Sequence, residues 1–315
     1  MSLHRILILG GTGFVGRHLT AALAGAGHGV RILSRDPERH RELRVLPGVE
    51  LRPGDVHDPD TLRRALSGCD TAVNLVGILN ERRRGRDFRA AHVELPRKLV
   101  EACAANGVRR LLHMSALNAD AARGSSAYLR TKGEGEDLVH LAAGQGLRVT
   151  SFRPSVIFGA DDSFINRFAG LLRLAPGVLP LACPEARFAP VYVGDVVEAF
   201  RRSLDLRAAF GARYELCGPR VYTLREIVEW IARMLGLRRR VLGLGDRLSR
   251  LQARLLDHAP GRPFTYDNYL SLRTDSVCRE PALGRLGIEP TALEAIMPHL
   301  LERARSNPLD RYRRR

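Results

Sequence analysis

"ILILGGTGFVGRHL", residues 6–19, decides the fold. A short aliphatic run reads as a buried strand, and it passes through glycines directly into an amphipathic helical pattern. Gly10, Gly13 and Gly16 stand at G-x-x-G-x-x-G spacing, with Thr12, Phe14 and Val15 between them. Glycine permits the tight turn and a close approach of backbone to ligand. The helix start presents free N–H groups and a partial positive charge to a pyrophosphate. Strand, turn and helix stand where a dinucleotide's linked phosphates need them.

Outward from this stretch the same rhythm continues. "GVRILS", "TAVNLVG", "RRLLHMSA" and "RVTSFRPSVIFG" read as strands. "DPDTLRRALSG", "ELPRKLVEACAANG" and "YLRTKGEGEDLVHLAAGQG" read as helices, with Gly27, Gly107 and Gly146 as helix stops. Strand alternating with helix predicts an α/β fold, a Rossmann-type doubly wound parallel sheet. Residues 1–160 are assigned to this nucleotide-binding domain. Residues 161–185 and 219–315 form a smaller, mainly helical lobe, and 186–218 return to the sheet. "YTLREIVEWIARMLG" and "ALEAIMPHLLERARS" read as lobe helices, and the terminal "RYRRR" as a disordered tail.

At 315 residues and 45% apolar content the chain can bury a substantial core. No apolar run approaches the roughly 20 residues of a membrane helix, and no signal-peptide pattern opens the chain. The expected location is the cytoplasm, or the periphery of the membrane's inner face. Cys69, Cys103, Cys183, Cys217 and Cys278 lack C-x-x-C spacing, so free thiols are expected, with neither a disulfide framework nor a metal site. The net charge of +16 rests almost wholly on arginine, since Lys98 and Lys132 are the only lysines. Codon bias accounts for arginine in place of lysine but not for the excess over acids, which leaves room for an anionic partner. No basic stripe is interleaved with aromatics, so nucleic acid is not expected.

Further along, "ILSRDPER" places Ser34 and Arg35 at the end of the second strand, where an acid would favour NAD. Arginine matches a 2′-phosphate bidentately, so NADP(H) is expected over NAD(H), although Asp36 follows at once. Asp55 and Val56, in "PGDVHDPDTL", end the third strand; the carboxylate can accept from an adenine amino group while valine packs on the ring. Gly77 reaches a strand end where a cofactor could pass closely.

"SSAYLRTKGEGE", residues 125–136, puts Tyr128 and Lys132 at i and i+4, one helical turn apart on one face. An ammonium there lowers a phenol's pKa from about 10, making Tyr128 a general acid or base. Ser115 ends the preceding strand, where its hydroxyl can hold a carbonyl oxygen. In an arginine-rich chain, lysine at 132 marks a need for a compact ammonium able to reach ribose hydroxyls.

"GGTGFVG", "GDVHDP", "YLRTK" and "RPSVIFG" together resemble the short-chain dehydrogenase/reductases, in their extended and atypical branch. "VNLVGIL", "HVELPRKLVEACAANGVRRLLHMSALNA" and "APVYVGDVVEAF" resemble, within it, the group that includes the accessory subunit of respiratory complex I and its bacterial relatives. The resemblance spans residues 5 to 235. It implies that Pro154, Ser155 and Val156 face a nicotinamide and, by analogy, that Arg187 and Phe188 line a substrate cleft between the lobes. It also implies three activities: an NADP(H)-dependent oxidoreductase acting on a small carbonyl, hydroxyl or quinone-like substrate; an accessory protein that holds nucleotide without turnover beside a respiratory complex; or a nucleotide-sugar epimerase or dehydratase. The sugar-modifying members carry asparagine where this chain has His92.

In the small lobe, Leu244, Leu248, Leu251 and Leu255 recur at helical spacing with Arg247, Arg250 and Arg254 on other faces. Such a helix either lies on a membrane or partner or packs on the Rossmann lobe, and periodicity does not distinguish the two.

Overall fold

Strand β1 (Arg5–Leu9) sends Ile6 and Ile8 to one face of a sheet and Leu7 and Leu9 to the other, all four fully buried. A strand so apolar on both sides belongs at the centre of a parallel sheet covered by helices on both faces. The computed structural model describes residues 3–81 and 86–298. In chain order, β1 leads to α1 (Phe14–Gly25), β2 (Gly29–Ser34), β3 (Val49–Pro53), α2 (Pro59–Leu66) and β4 (Thr71–Asn74). Helix α3 (Asp87–Arg89) runs through a π turn over Ala90–Glu94 into α4 (Leu95–Ala105), followed by β5 (Arg110–Met114), α5 (Ala127–Leu141) and β6 (Arg148–Pro154).

The second half contributes β7 (Ile157–Phe158), α6 (Ser163–Leu174), β8 (Val178–Leu181), β9 (Arg187–Phe188), β10 (Val191–Tyr192) and α7 (Val193–Ser203). It continues with β11 (Arg213–Leu216), β12 (Tyr222–Thr223), α8 (Leu224–Met234), β13 (Arg240–Gly243), α9 (Asp246–Leu256) and α10 (Tyr266–Leu272). Seven strands form one parallel sheet in the order β11-β6-β5-β4-β1-β2-β3. Leu19 and Leu23 of α1 and Val196 and Phe200 of α7 cover one face; Leu62 of α2, Leu99 of α4 and Val139 of α5 cover the other. Strand order reverses between β1 and β4, so the chain leaves their C-terminal ends in opposite directions and opens a crevice there.

The expected strand over "RVTSFRPSVIFG" divides. β6 stops at Pro154, and after Ser155 and Val156 the backbone resumes as β7, paired with β10 in a separate ribbon. Ile165, Leu172, Phe188, Ile227, Ile231 and Val241 build the small-lobe core. The expected terminal helix is present over residues 293–298; its continuation and the "RYRRR" tail lie outside the described residues.

The cysteine expectation is corrected. Cys217 and Cys278 form a disulfide, with Cα atoms 6.0 Å apart at a sequence separation of 61. The chain near Pro281 bridges to Glu215 of β11, which carries one cysteine to the other. No spacing motif signals a pairing made by that tertiary contact. Cys69, Cys103 and Cys183 are free, as expected.

Candidate active site

The loop from β1 into α1 fits a pyrophosphate. Gly10 adopts φ +80°, and a Cβ there would press on the backbone of Leu75 and Val76 at 3.2 Å, so the turn lies against the chain leaving β4. At Gly16 a Cβ would overlap the carbonyl of Gly10, so only glycine lets the helix start this close to the strand. Helix α1 begins at Phe14 with Gly13 as its N-cap, and no side chain caps it. Among the described residues the first-turn N–H groups of Phe14, Val15 and Gly16, next to Thr12, have no hydrogen-bond partner, which leaves their partial positive charge to an anion.

At the neighbouring strand ends, Ser34 is buried and its Oγ accepts from Asp36 N–H at 3.2 Å, while Arg35 is exposed. Arg35 makes no hydrogen bond or ion pair among the described residues, so its guanidinium is available to a 2′-phosphate. Asp55 Oδ1 accepts from His57 N–H at 3.0 Å, which fixes the carboxylate, and Val56 packs on the core edge.

Gly77 closes in on the helix that carries the tyrosine. A methyl group at 77 would stand 3.7 Å from Lys132 Nζ and 3.9 Å from His92 Nε2. His92 explains why the loop lies there: Ile78 N–H donates to its Nε2 at 3.1 Å. That leaves the ring proton on Nδ1, 3.0 Å from Thr131 Oγ1, whose own hydrogen goes to the Ala127 carbonyl. Burial first, and the Lys132 ammonium second, push His92 down to about 2, so it stays a neutral acceptor. Phe88 stacks on it at 5.4 Å, and Tyr128 meets it edge-on at 5.5 Å.

Helix α5 carries Tyr128 and Lys132 on the face turned to the β4 and β5 ends. Lys132 is 4% exposed and donates to the Met114 carbonyl at 2.6 Å. Burial lowers its ammonium to about 8, opposed by the Glu136 carboxylate. The expectation that this ammonium would lower the Tyr128 phenol is overturned. Burial, followed by the Asp267 carboxylate, raises it to about 12, because a phenolate here would lose solvation beside a negative charge.

Asp267 was not foreseen. It comes from α10 of the small lobe, and its two oxygens accept from Ala127 N–H at 2.7 Å and Tyr128 N–H at 3.2 Å. Ser126 adds the usual cap, accepting from Leu129 N–H at 3.1 Å.

Ser115 lies beside this group but turns away from it. Its buried hydroxyl donates to Glu136 Oε2 at 3.1 Å. Glu136, fully buried one turn beyond Lys132, is held by Arg153 of β6 at 2.8 Å. The serine hydrogen is thereby committed to a buried charge network that ties α5 to β5 and β6. Glu136 follows Lys132 by four residues, and that repeat of the Tyr128–Lys132 spacing is the signal that would have flagged it.

Ser155 is buried, and its hydroxyl donates to the Ser276 carbonyl at 2.7 Å, while Pro154 and Val156 flank it where β6 ends. Arg187 pairs with Asp275 at 2.8 Å, and Phe188 packs into the small-lobe core against Phe164 at 5.7 Å between ring centres. These two are thus tied up in an ion pair and a core, although the segment they pair with reaches Ser155.

The model of the NAD dependent epimerase/dehydratase family matches residues 6–217. The chain belongs to that family. Within it, the chain is 30% identical over 307 residues to NADH dehydrogenase (ubiquinone) 1 alpha subcomplex subunit 9, mitochondrial, of Rattus norvegicus, covering 95% of this chain and 80% of that one. It is 33% identical over 247 residues to the ceramide reductase of Caulobacter vibrioides, covering 76% and 74% of the two chains. Among solved structures, MoeE5 in complex with UDP-glucuronic acid and NAD superposes with a TM-score of 0.73 at 22% identity, over 95% of this chain and 99% of that one, which shows the fold of this family member. Among the described residues no helix is long and apolar enough to cross a membrane, and no cluster of His, Cys, Asp and Glu could hold a metal ion.

Proposed function

We propose that this family member is an NADP(H)-preferring oxidoreductase that reduces a small or quinone-related carbonyl compound, with Tyr128 as proton donor. The observation that carries the reading is the placement of Tyr128. Its ring shares a face of α5 with the buried Lys132 ammonium one helical turn on, and meets the His92 ring edge-on at 5.5 Å. Reduction of a carbonyl requires a proton at the developing alkoxide, and a phenol so placed can deliver one.

The residues fit a dinucleotide, which when bound supplies the hydride. Gly10, Gly13, Gly16 and the first turn of α1 would hold its pyrophosphate, Arg35 its 2′-phosphate, and Asp55 and Val56 its adenine. Lys132 would use its remaining N–H groups on the ribose, while Gly77 and the Pro154–Val156 backbone would flank the redox ring. In this scheme Tyr128 gives its hydrogen to the substrate oxygen. Ser115 acts indirectly, by holding Glu136 and so the pitch of α5. The relative named a ceramide reductase supports reductase chemistry.

A second reading, an accessory protein that retains nucleotide without turnover beside a respiratory complex, is supported by the similarity to the rat complex I subunit along 95% of the chain. One experiment separates them. The purified protein is offered NADPH and NADH with a panel of ketones and quinones, beside Tyr128→Phe. The oxidoreductase reading expects NADPH-dependent turnover that falls by about 100-fold or more in the variant while nucleotide affinity holds. Equal, slow cofactor consumption by both proteins with equal binding would establish the accessory role instead.

A further inference from the structure

Helix α9 is packed the opposite way from an ordinary surface helix. Its small residues Ser249 and Ala253 turn inward and are buried, and Ser249 Oγ accepts from Cys183 N–H at 3.0 Å. Its leucines turn outward: Leu248, Leu251 and Leu255 are 55%, 52% and 65% exposed, in a single stripe at i, i+3 and i+7. An aqueous surface helix keeps such a stripe inside.

The apolar surface continues past α9. Gln252 donates to the Pro180 carbonyl at 3.2 Å and joins the helix to the β8–β13 ribbon, whose outer face exposes Val178 and Leu242. Five of the twelve exposed large apolar side chains among the described residues, Val178, Leu242, Leu248, Leu251 and Leu255, lie on α9 and this ribbon.

Arginines border this surface. Arg247 and Arg250 flank the leucine stripe, and neither has a hydrogen-bonded or ionic partner among the described residues. Beside Leu242, Arg225, Arg233, Arg238, Arg239 and Arg240 line an open cleft of ≈ 760 Å³ in which Glu229 is the sole acid. Arg225 leans on Glu185 at 3.5 Å and Arg239 on the Leu172 carbonyl at 3.2 Å, while Arg233, Arg238 and Arg240 have no such partner among the described residues.

We propose that α9 and the adjoining β8–β13 ribbon dock this protein on an anionic lipid bilayer. The leucines stand on a convex helix rather than in a groove, so they enter a deformable apolar medium more readily than they meet a second rigid surface. Arginine's stem can lie along apolar surface while its guanidinium reaches a phosphate, and several such groups near one plane bind acidic headgroups. The chain's charge of +16 adds long-range attraction. This inference rests on the small lobe alone and holds whether or not Tyr128 turns over a substrate.

The test is flotation of the full chain with vesicles of phosphatidylcholine alone and with about one-third phosphatidylglycerol. Two variants accompany it: Leu248→Ser/Leu251→Ser/Leu255→Ser together, and Arg247→Glu/Arg250→Glu together. The expected result is flotation with anionic vesicles only and at least a tenfold lower partition for each variant, on the order of the apolar and ionic contributions removed. Melting temperature and nucleotide affinity should stay at wild-type values, since every altered side chain is exposed. The proposal is overturned if the wild type floats with neither vesicle, if the leucine variant floats like the wild type, or if that variant instead changes the protein's oligomeric state.

Discussion

Lowering the pH from 7 to 5 tests the histidine that shapes the Lys132 end of the site. His92 is 2% exposed and held down to about 2, whereas in the unfolded chain an imidazole titrates near 6.5. A folded-state value below the unfolded one means that the unfolded chain binds the extra proton, so stability falls as pH drops through 6.5. The linkage relation gives about 0.2 kcal/mol of loss at pH 7 and about 2 kcal/mol at pH 5.

Other groups act in the same window, among them His28 and His140, which burial also lowers. His113 lies well below its ordinary value through burial and adds to the loss. Asp162, pushed up to about 6 by burial, binds its proton first in the folded state and returns about 1 kcal/mol at pH 5. Lys132, at about 8, is protonated in both states throughout and contributes nothing.

Comparison with His92→Gln cancels all of these. The glutamine carbonyl can accept from Ile78 N–H and does not titrate. Urea unfolding of both proteins at pH 7 and pH 5 should show the wild type losing about 2 kcal/mol more than the variant, a midpoint difference of roughly 0.7 M for an m value of about 3 kcal/mol/M. Equal losses would refute the reasoning, because His92 would then take up a proton in the fold without cost. The same proton would release Ile78 and place a second positive charge beside Lys132.

Two further substitutions probe the phosphate turn and the serine. Gly16→Ala would drive a methyl group into the Gly10 carbonyl, so α1 must move off β1; calorimetry should find NADPH affinity reduced by about 100-fold or more, and a wild-type affinity would refute the pyrophosphate assignment. Ser115→Ala removes one hydrogen bond from a Glu136 carboxylate that keeps Arg153; it should cost about 1–2 kcal/mol of stability and change kcat by less than about threefold. A kcat loss of about 100-fold at unchanged stability would return Ser115 to the substrate carbonyl.

What could be read in advance was local. Residues 6–19 announce strand, turn and helix because each signal lies within a few positions of the next, and the Tyr128–Lys132 pair needs only the helical period to bring it together. The phenol's titration could not be read that way. Spacing supplies the ammonium four residues on, but burial and Asp267, 139 residues later in the chain, reverse the direction of the shift. Ser115 was given to a carbonyl because its strand end was legible and the direction of its hydroxyl was not. The Cys217–Cys278 bond and the outward turn of α9 escaped for the same reason: each depends on which surface a distant segment covers. Periodicity located the α9 leucines, yet only the inward seats of Ser249 and Ala253 decide which way they face.

Helix α5 begins with N–H groups that a free-standing Rossmann half would leave to water. Ser126 supplies one acceptor from within, and Asp267 supplies two from a seven-residue helix in the other lobe. That small helix is also bolted outward, through Tyr269 to Asp246 at 2.6 Å. The tyrosine's scaffold is therefore a mortise whose tenon is cut from the far end of the chain. Neither half of the molecule finishes its own joinery, and the proton donor sits in the joint.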